Sequence, residues 1–337
     1  MGSVTINDIS VEAGVSKATV SRVLNNPSIV DPVTFDRVKQ VMDKFHYVPS
    51  AAARNLSKST SSTIGAVVAD ISNPFLSELL KGVLEECTAR GYTMLCADNG
   101  DDMKMDFRAL NTMREQRVAG LIYAPAVDYK YYKKSKQLVQ HIEDLNAPVV
   151  LVDRKVCWGD FTSDGVFFDD YNAIKYAISA LRERGHKRIA LINSSEKNAI
   201  AENRQKGYID GILEADLDLD ESIIYSDGKY TVESGYNQTK RMMMSSNPPT
   251  AVITCNNLLS QGFIKAKYEN RESCNIEFVG LDRLEMMEIL GIKYNHIERD
   301  SLQMGKEAAK LLFSRIENPS IPRQEKVLQP PLVFMTE

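Results

Sequence analysis

Eight short apolar runs, each followed by a helical stretch, constrain the fold of this chain more than any other feature. The first four are Ile64–Ala69, Thr93–Cys96, Gly120–Tyr123 and Val149–Val152. A second series follows at Gly165–Phe168, Ile189–Ile192, Ala251–Thr254 and Phe278–Leu281. Their apolar character is continuous rather than alternating, which suits parallel strands covered on both faces by helices. Two such series, each about 100 residues long, predict two doubly wound α/β lobes. A chain of 337 residues is too long for one ordinary core. In this architecture ligands bind beyond the C-terminal ends of the strands, in the crevice between the lobes.

The first sixty residues follow a different pattern. Thr5-Ile6-Asn7-Asp8 predicts a helix start, with Thr5 as cap and Asp8 at the third position in capping-box fashion. Val11–Ser16, with Gly14 inside it, turns the chain into a second helix over Lys17–Asn25, capped by Ser16. Two short helices joined by a tight glycine-containing turn predict a helix-turn-helix, whose second helix lies in a DNA major groove. Ile6, Ile9, Val15, Val20, Val23 and Leu24 supply its small core. The outer face then presents Lys17, Ala18, Ser21 and Arg22. Arg22 is the strongest candidate for a bidentate contact to a guanine edge, and Lys17 suits a guanine or a phosphate. Ala18 offers only a methyl contact to thymine. Thr5, Ser16, Thr19, Ser21 and Asn25 are short polar groups suited to phosphate oxygens. A third helix starts at Asp31-Pro32, with Val33, Val38, Val41, Met42 and Phe45 as its apolar stripe. Ser50–Leu56 reads as a further helix, too short to form alone in water. Its Leu56 beside Arg54 suggests an apolar wedge for the minor groove, and Lys58–Thr63 reads as a linker.

Charge permits this reading without compelling it. Residues 1–60 hold seven Lys and Arg against five Asp and Glu, an excess of two in a chain whose net charge is −4. Affinity for DNA must then lean on pairing of two copies and on backbone and hydroxyl contacts. No apolar run approaches the roughly 20 residues that span a bilayer, and the N-terminus lacks a basic-then-apolar leader, so a cytoplasmic protein without a membrane role is expected. The five cysteines, Cys87, Cys96, Cys157, Cys255 and Cys274, show no paired short spacing, which points to reduced thiols rather than disulfides or a metal site.

Taken together, Thr5-Ile6, Ala13-Gly14-Val15-Ser16, Thr19–Asn25, Tyr47-Val48-Pro49, Ala53-Arg54 and Leu56 resemble the LacI/GalR family of bacterial transcription regulators, the lactose-repressor and purine-repressor type. The resemblance runs through almost the whole chain. It implies an all-α helix-turn-helix DNA-binding domain over 1–48, a hinge helix and linker over 49–62, and a periplasmic-binding-protein-like core of two doubly wound lobes over 63–337. Lobe one would span about 63–164 and 294–319, and lobe two about 165–293 and 320–337. In such proteins the hinge helices of two subunits pair, the leucine matching Leu56 intercalates at the operator centre, and the base readers match Lys17, Ala18 and Arg22.

The resemblance also nominates an effector pocket. Asp70 and Phe75 lie in the loop after the first strand, and Arg154 follows the fourth. Arg204 matches an arginine that binds effector oxygens, and Tyr230 matches an aromatic that stacks on the ligand. Three departures stand out. Asn257 replaces a usual aspartate, Arg283 replaces the second of a usual Asp-Asp pair beginning at Asp282, and Arg299 stands where Gln is common. Each removes negative or adds positive charge, and a buried cation needs an anionic counterpart. The sequence therefore favours an acidic effector such as a sugar acid or sugar phosphate, with internal pairing of Arg283 and Arg299 to Asp282, Glu298 or Asp300 as the competing explanation.

Enzyme chemistry finds no support: there is no phosphate-binding glycine fingerprint, nucleophile elbow or metal-spaced His/Cys cluster, and no cofactor or metal is expected. A periplasmic-type binding protein without a DNA role is a rival, as is a regulator triggered by a phosphoprotein co-repressor. The expected protein is a homodimeric repressor of carbohydrate or sugar-acid genes, reading a pseudo-palindromic operator under control of a small molecule. No heptad repeat suggests a coiled-coil tetramer.

Overall fold

The computed structural model describes residues 4–47, 61–195, 198–269 and 276–335. The chain divides into two compact units, residues 1–61 and 62–337. Ser50–Leu56, with Arg54 and Leu56, and Cys274 lie outside the described residues.

The first unit is built from α1 (Ile6–Glu12), α2 (Lys17–Asn25) and α3 (Pro32–Lys44). Thr5 starts α1 with a reciprocal capping box: its backbone N–H donates to Asp8 at 2.8 Å, and the Asp8 N–H donates back to the Thr5 hydroxyl. Ser16 accepts from the Thr19 N–H at 3.1 Å to start α2, and Asp31 with Pro32 starts α3. Gly14, in the turn between α1 and α2, has φ +61°, a left-handed conformation that favours glycine. Ile9, Val20 and Val38 are fully buried at the centre, and Ile6, Val15, Leu24, Val41, Met42 and Phe45 pack around them. Val33 departs from the expected stripe and is 75% exposed, because it sits in the first turn of α3, before that helix reaches the core.

The second unit holds two six-stranded sheets. The first is ordered β11-β5-β4-β3-β1-β2, from β1 (Thr63–Val68), β2 (Thr93–Asp98), β3 (Gly120–Tyr123), β4 (Val149–Val152), β5 (Asp164–Phe168) and β11 (Glu325–Leu328). The second is ordered β12-β10-β9-β8-β6-β7, from β6 (Ile189–Ser194), β7 (Ile224–Gly228), β8 (Ala251–Thr254), β9 (Glu277–Leu281), β10 (Asn295–Ile297) and β12 (Leu332–Val333). Every ladder is parallel except that of β10 with β12. All eight apolar runs are strands. The strands missed by sequence reading are the short or exposed ones, β7, β10, β11 and β12.

Helices α4 (Pro74–Ala89), α5 (Met103–Glu115) and α6 (Ser135–Glu143) connect the strands of the first lobe. In the second lobe, α7 (Asp170–Glu183) leads into β6, while α8 (Ala199–Glu214), α9 (Val232–Met243), α10 (Asn257–Glu269) and the short α11 (Glu285–Ile289) connect its strands. Helix α12 (Ser301–Glu317) returns to the first lobe and lies along α4. Both sheets place their first strand between the second and third, so each lobe has its reversal of strand order at the same place. The two reversal points contribute to one cleft.

The division between the lobes differs from the one drawn on the sequence. The run 165–168, assigned to lobe two, is β5 and pairs with β4 in the first sheet. The segment 294–319 contributes β10 to the second sheet and α12 to the first lobe, and 320–337 contributes β11 to the first sheet and β12 to the second. The physical reason is that an apolar run identifies a strand but not its ladder partner. The crossovers fall just past strand ends, at Asp169, at Glu298–Asp300 and at Gln329–Pro331.

Candidate functional site

On the first unit, α2 turns Val20 and Val23 into the core, leaving Lys17, Ala18 and Arg22 exposed and Ser21 and Asn25 half-buried. The period of 3.6 residues puts 17, 18, 21, 22 and 25 along one side of the helix. Among the described residues neither Lys17 nor Arg22 has an ion-pair partner. Other nominated groups already have local work. Ser16 and Thr19 share a hydroxyl contact of 2.9 Å, the Asn25 amide donates to Ser21 at 3.3 Å, and Thr5 is held in its capping box. The freest groups on this face are therefore the two cations and the Ala18 methyl.

In the second unit, a cleft of about 500 Å³ is lined by residues from the strand ends of both lobes, a size in the range of small-molecule sites. Of the nominated pocket residues, Asp70, Phe75, Arg154, Arg204, Tyr230, Asn257 and Arg299 line it. Asp153 and Asn256, the neighbours of Arg154 and Asn257 past the same strand ends, line it too, and Asp98, Asp101 and Asn198 also line it and were missed. Asp98 ends β2 and Asn198 caps α8, so attention to every strand end and every first helical turn would have found them. Two nominated residues fall elsewhere. Asp282 lies beneath the lining, 4% exposed, and Arg283 points away from the cleft to form an exposed fork with Glu288. Hydrogen bonding to Arg283 holds the Glu288 carboxyl below its ordinary value.

The arginines of the cleft are tied to the protein. Arg204 donates from Nε at 2.7 Å and from Nη2 at 2.6 Å to one oxygen of Asp170. Its Nη1 donates to the Cys255 carbonyl at 2.6 Å and to the Tyr230 hydroxyl at 3.4 Å. Arg299 forks onto Asp282 at 2.7 and 2.8 Å and reaches Asp170 at 3.5 Å. Its guanidinium stacks 4.4 Å from the centre of the Phe75 ring. Arg154 donates to Asp101 at 2.8 Å and to the carbonyls of Pro125 and Ala126. A guanidinium has five N–H donors, and four of Arg204's and three of Arg299's have these protein partners. Neither keeps its Nε/Nη2 edge for a ligand. Burial pushes the Tyr230 phenol up, so it is a neutral hydroxyl, bonded to Asn193 at 3.0 Å. Burial likewise pushes the Cys255 thiol up to about 12.

Both loops after the reversed strands are held by side chains that also bridge the lobes. Asn73 caps α4 and accepts from the Asn257 amide across the cleft at 2.7 Å. On the other side Asp128 accepts the Ala199 N–H at 3.1 Å. Asp128 is carried by a loop anchored on buried Asp106, which accepts from Tyr123, Tyr129, Asn99 and the Ala126 N–H between 2.6 and 3.0 Å. Asp153 and Asp282, one past the end of β4 and the other past β9, both have positive φ, +62° and +77°. That is an uncommon conformation for aspartate, found where surrounding structure enforces it.

The comparisons agree with this two-part arrangement. Residues 5–50 match the family described as bacterial regulatory proteins, lacI family, and residues 61–328 match periplasmic binding proteins and sugar binding domain of LacI family. The chain is 30% identical to the HTH-type transcriptional repressor PurR of Histophilus somni, over 98% of this chain and 97% of that one. It is 29% identical to the ribose operon repressor of Escherichia coli, over 98% of each. In fold it superposes on the lac repressor dimer bound to operator and the anti-inducer ONPF with TM-score 0.83, at 22% identity and covering 99% of this chain and 98% of that one. No helix among the described residues is long and apolar enough to cross a membrane. A helix-turn-helix and a two-lobed cleft, matched over nearly the whole length, identify the chain as a member of the LacI family of bacterial regulatory proteins, DNA-binding transcriptional repressors controlled by a small-molecule effector.

Proposed function

We propose that this repressor reads its operator chiefly through Arg22 and Lys17 on α2, and that its effector is a neutral, hydroxyl-rich compound such as a sugar or nucleoside. The observation that carries the DNA reading is the pair of exposed cations on α2 without ion-pair partners among the described residues, beside a methyl and small polar groups. Arg22 supplies a bidentate guanine contact, and two copies on a symmetric dimer read two half-sites. Arg22→Ala is expected to weaken specific operator binding about 5- to 150-fold, equivalent to 1–3 kcal/mol, and to relax specificity at one base pair of each half-site. Selection of binding sites from random duplexes with the full chain, followed by titration at fixed salt, measures both. Loss that is uniform over all sequences would instead make Arg22 a phosphate contact.

The effector reading departs from the acidic compound favoured by the sequence. That expectation rested on cations lacking a counterpart, and Arg283 and Arg299 each have one within the protein. The lining carries Asp70, Asp98, Asp101 and Asp153 against Arg154, Arg204 and Arg299, with Asp170 and Asp282 beneath. Carboxylates and amides suit hydroxyl donors, and single remaining N–H groups suit hydroxyl acceptors. A thermal-shift panel on the full chain, comparing neutral sugars and nucleosides with sugar acids and sugar phosphates, tests this. A ligand at 100 times its Kd stabilises the core by about 2.7 kcal/mol. Neutral compounds alone should shift the transition. A shift by anionic compounds alone would restore the acidic effector and overturn this proposal.

A further inference from the structure

Four buried side chains form an alternating chain under the cleft: Arg204, Asp170, Arg299 and Asp282, all between 3% and 7% exposed. They come from four places. Arg204 is on α8, Asp170 opens α7 just past the first crossover, Arg299 lies in the second crossover, and Asp282 follows β9. Asp282 forks onto Arg299 and also accepts the Asn257 N–H at 3.2 Å. Asp170 touches both arginines through one oxygen, while its other oxygen, also buried, has no hydrogen-bond partner among the described residues. The four formal charges cancel, and removing Asp170 would leave a net positive charge in a buried site, which is costly. The Nε/Nη2 edge of Arg204 would also lose the carboxylate it now faces, and that edge is the geometry that grips carboxylate or phosphate. Asp170 stands in the first turn of a 14-residue helix, where the helix dipole itself favours negative charge.

We infer that Asp170 is a selectivity-positioning residue, an internal carboxylate that occupies the anion-binding edge of Arg204 and so keeps anionic compounds out of the effector cleft. The inference rests on the cleft being the effector site but needs no knowledge of the effector. Its test uses inorganic phosphate as the probe, titrated calorimetrically into the full chain at constant ionic strength. The parent protein should show no saturable binding. Asp170→Asn should bind phosphate at least about tenfold more tightly than the parent, because the freed edge and the uncompensated charge both call for an anion. The double variant Asp170→Asn/Arg204→Gln, which is again neutral, lacks the freed edge and keeps the Arg299–Asp282 fork, should lose that binding and be more stable than Asp170→Asn alone. Absence of phosphate binding in a folded Asp170→Asn would overturn the assignment. So would saturable phosphate binding by the parent. If Asp170→Asn does not fold, the double variant decides: recovery of a folded, phosphate-blind protein supports the charge-compensated unit, and failure to recover reduces Asp170 to a structural role. Failure of the neutral-compound panel would sink the proposed effector while leaving the phosphate result standing.

Discussion

Gly305→Ala is expected to destabilise the effector-binding unit by about 3 kcal/mol or more, although alanine is ordinarily the better helix former by about 1 kcal/mol. Helices α4 and α12 cross at a pair of glycines. A Cβ on Gly305 would run into the Leu79 carbonyl oxygen, and one on Gly82 would run into the Leu302 carbonyl oxygen. Both obstacles are backbone, so no side-chain rotation relieves the overlap and the helices must separate. Separation would strip packing from Leu79, Val83, Met304 and Ala308, all fully buried. The same device occurs in lobe two, where a Cβ on Gly207 would meet the Tyr171 carbonyl of α7 at 2.5 Å. Thermal and urea denaturation of the full chain would measure the effect. Gly305→Val should cost little more than Gly305→Ala, because the first added atom already collides. A neutral or stabilising Gly305→Ala would show that the helices do not approach so closely.

Arg315→Met should cost about 3–5 kcal/mol, the range for removing one member of a buried ion pair. For a unit of this size that corresponds to a fall in Tm of roughly 6–20 °C. Arg315 is on α12, 4% exposed, and forks onto fully buried Asp164 at 2.8 and 2.9 Å. It also donates to the carbonyls of Pro319, Ile321 and Pro322. Asp164 in turn accepts the Gln324 N–H at 2.8 Å. One guanidinium thus fixes the end of α12, the turn beyond it, and the pairing of β11 with β5. Methionine fills similar volume but leaves the Asp164 carboxylate buried and its former carbonyl partners unsatisfied. Arg315→Lys keeps the charge and should retain only part of the stability, since an ammonium cannot reproduce the planar fork. Equal losses in the two variants would mean that the fork and its carbonyl contacts, and not the charge, carry the effect; full stability in Arg315→Lys would mean that charge alone suffices.

Much of this was legible in the sequence because the relevant signals are local. The caps at Thr5, Ser16 and Asp31 are set by residues three positions apart, and the glycine in the first turn by one backbone angle. The eight apolar strands follow from their own composition. What escaped depends on partners distant along the chain. Neither the ladder of β5 with β4 nor the edge pairing of β11 is written in the apolar pattern of those segments, so the lobe boundary was misplaced. Asp164 and Arg315 are 151 residues apart, and nothing near either indicates the other. The pocket shows the same limit. Seven nominated residues do line the cleft, because strand ends and the family resemblance both point there. The pairing of Arg299 with Asp282 was among the alternatives open in the sequence, but its contact with Asp170, contributed by a different crossover, was not. Arg283 found its own partner five residues along, on the short helix after β9.

The chain passes between the lobes three times, at residue 169, at 298–300 and at 329–331, each time in one to three residues. A single tether would let one lobe swivel, slide or part from the other. Three short tethers side by side block sliding and separation and leave bending as the compliant degree of freedom. Whatever occupies the cleft can then be summarised for the rest of the protein by a single angle. Two chemically unrelated compounds that set the same angle would be equivalent as signals, and a compound that sets an intermediate one would act as a partial agonist.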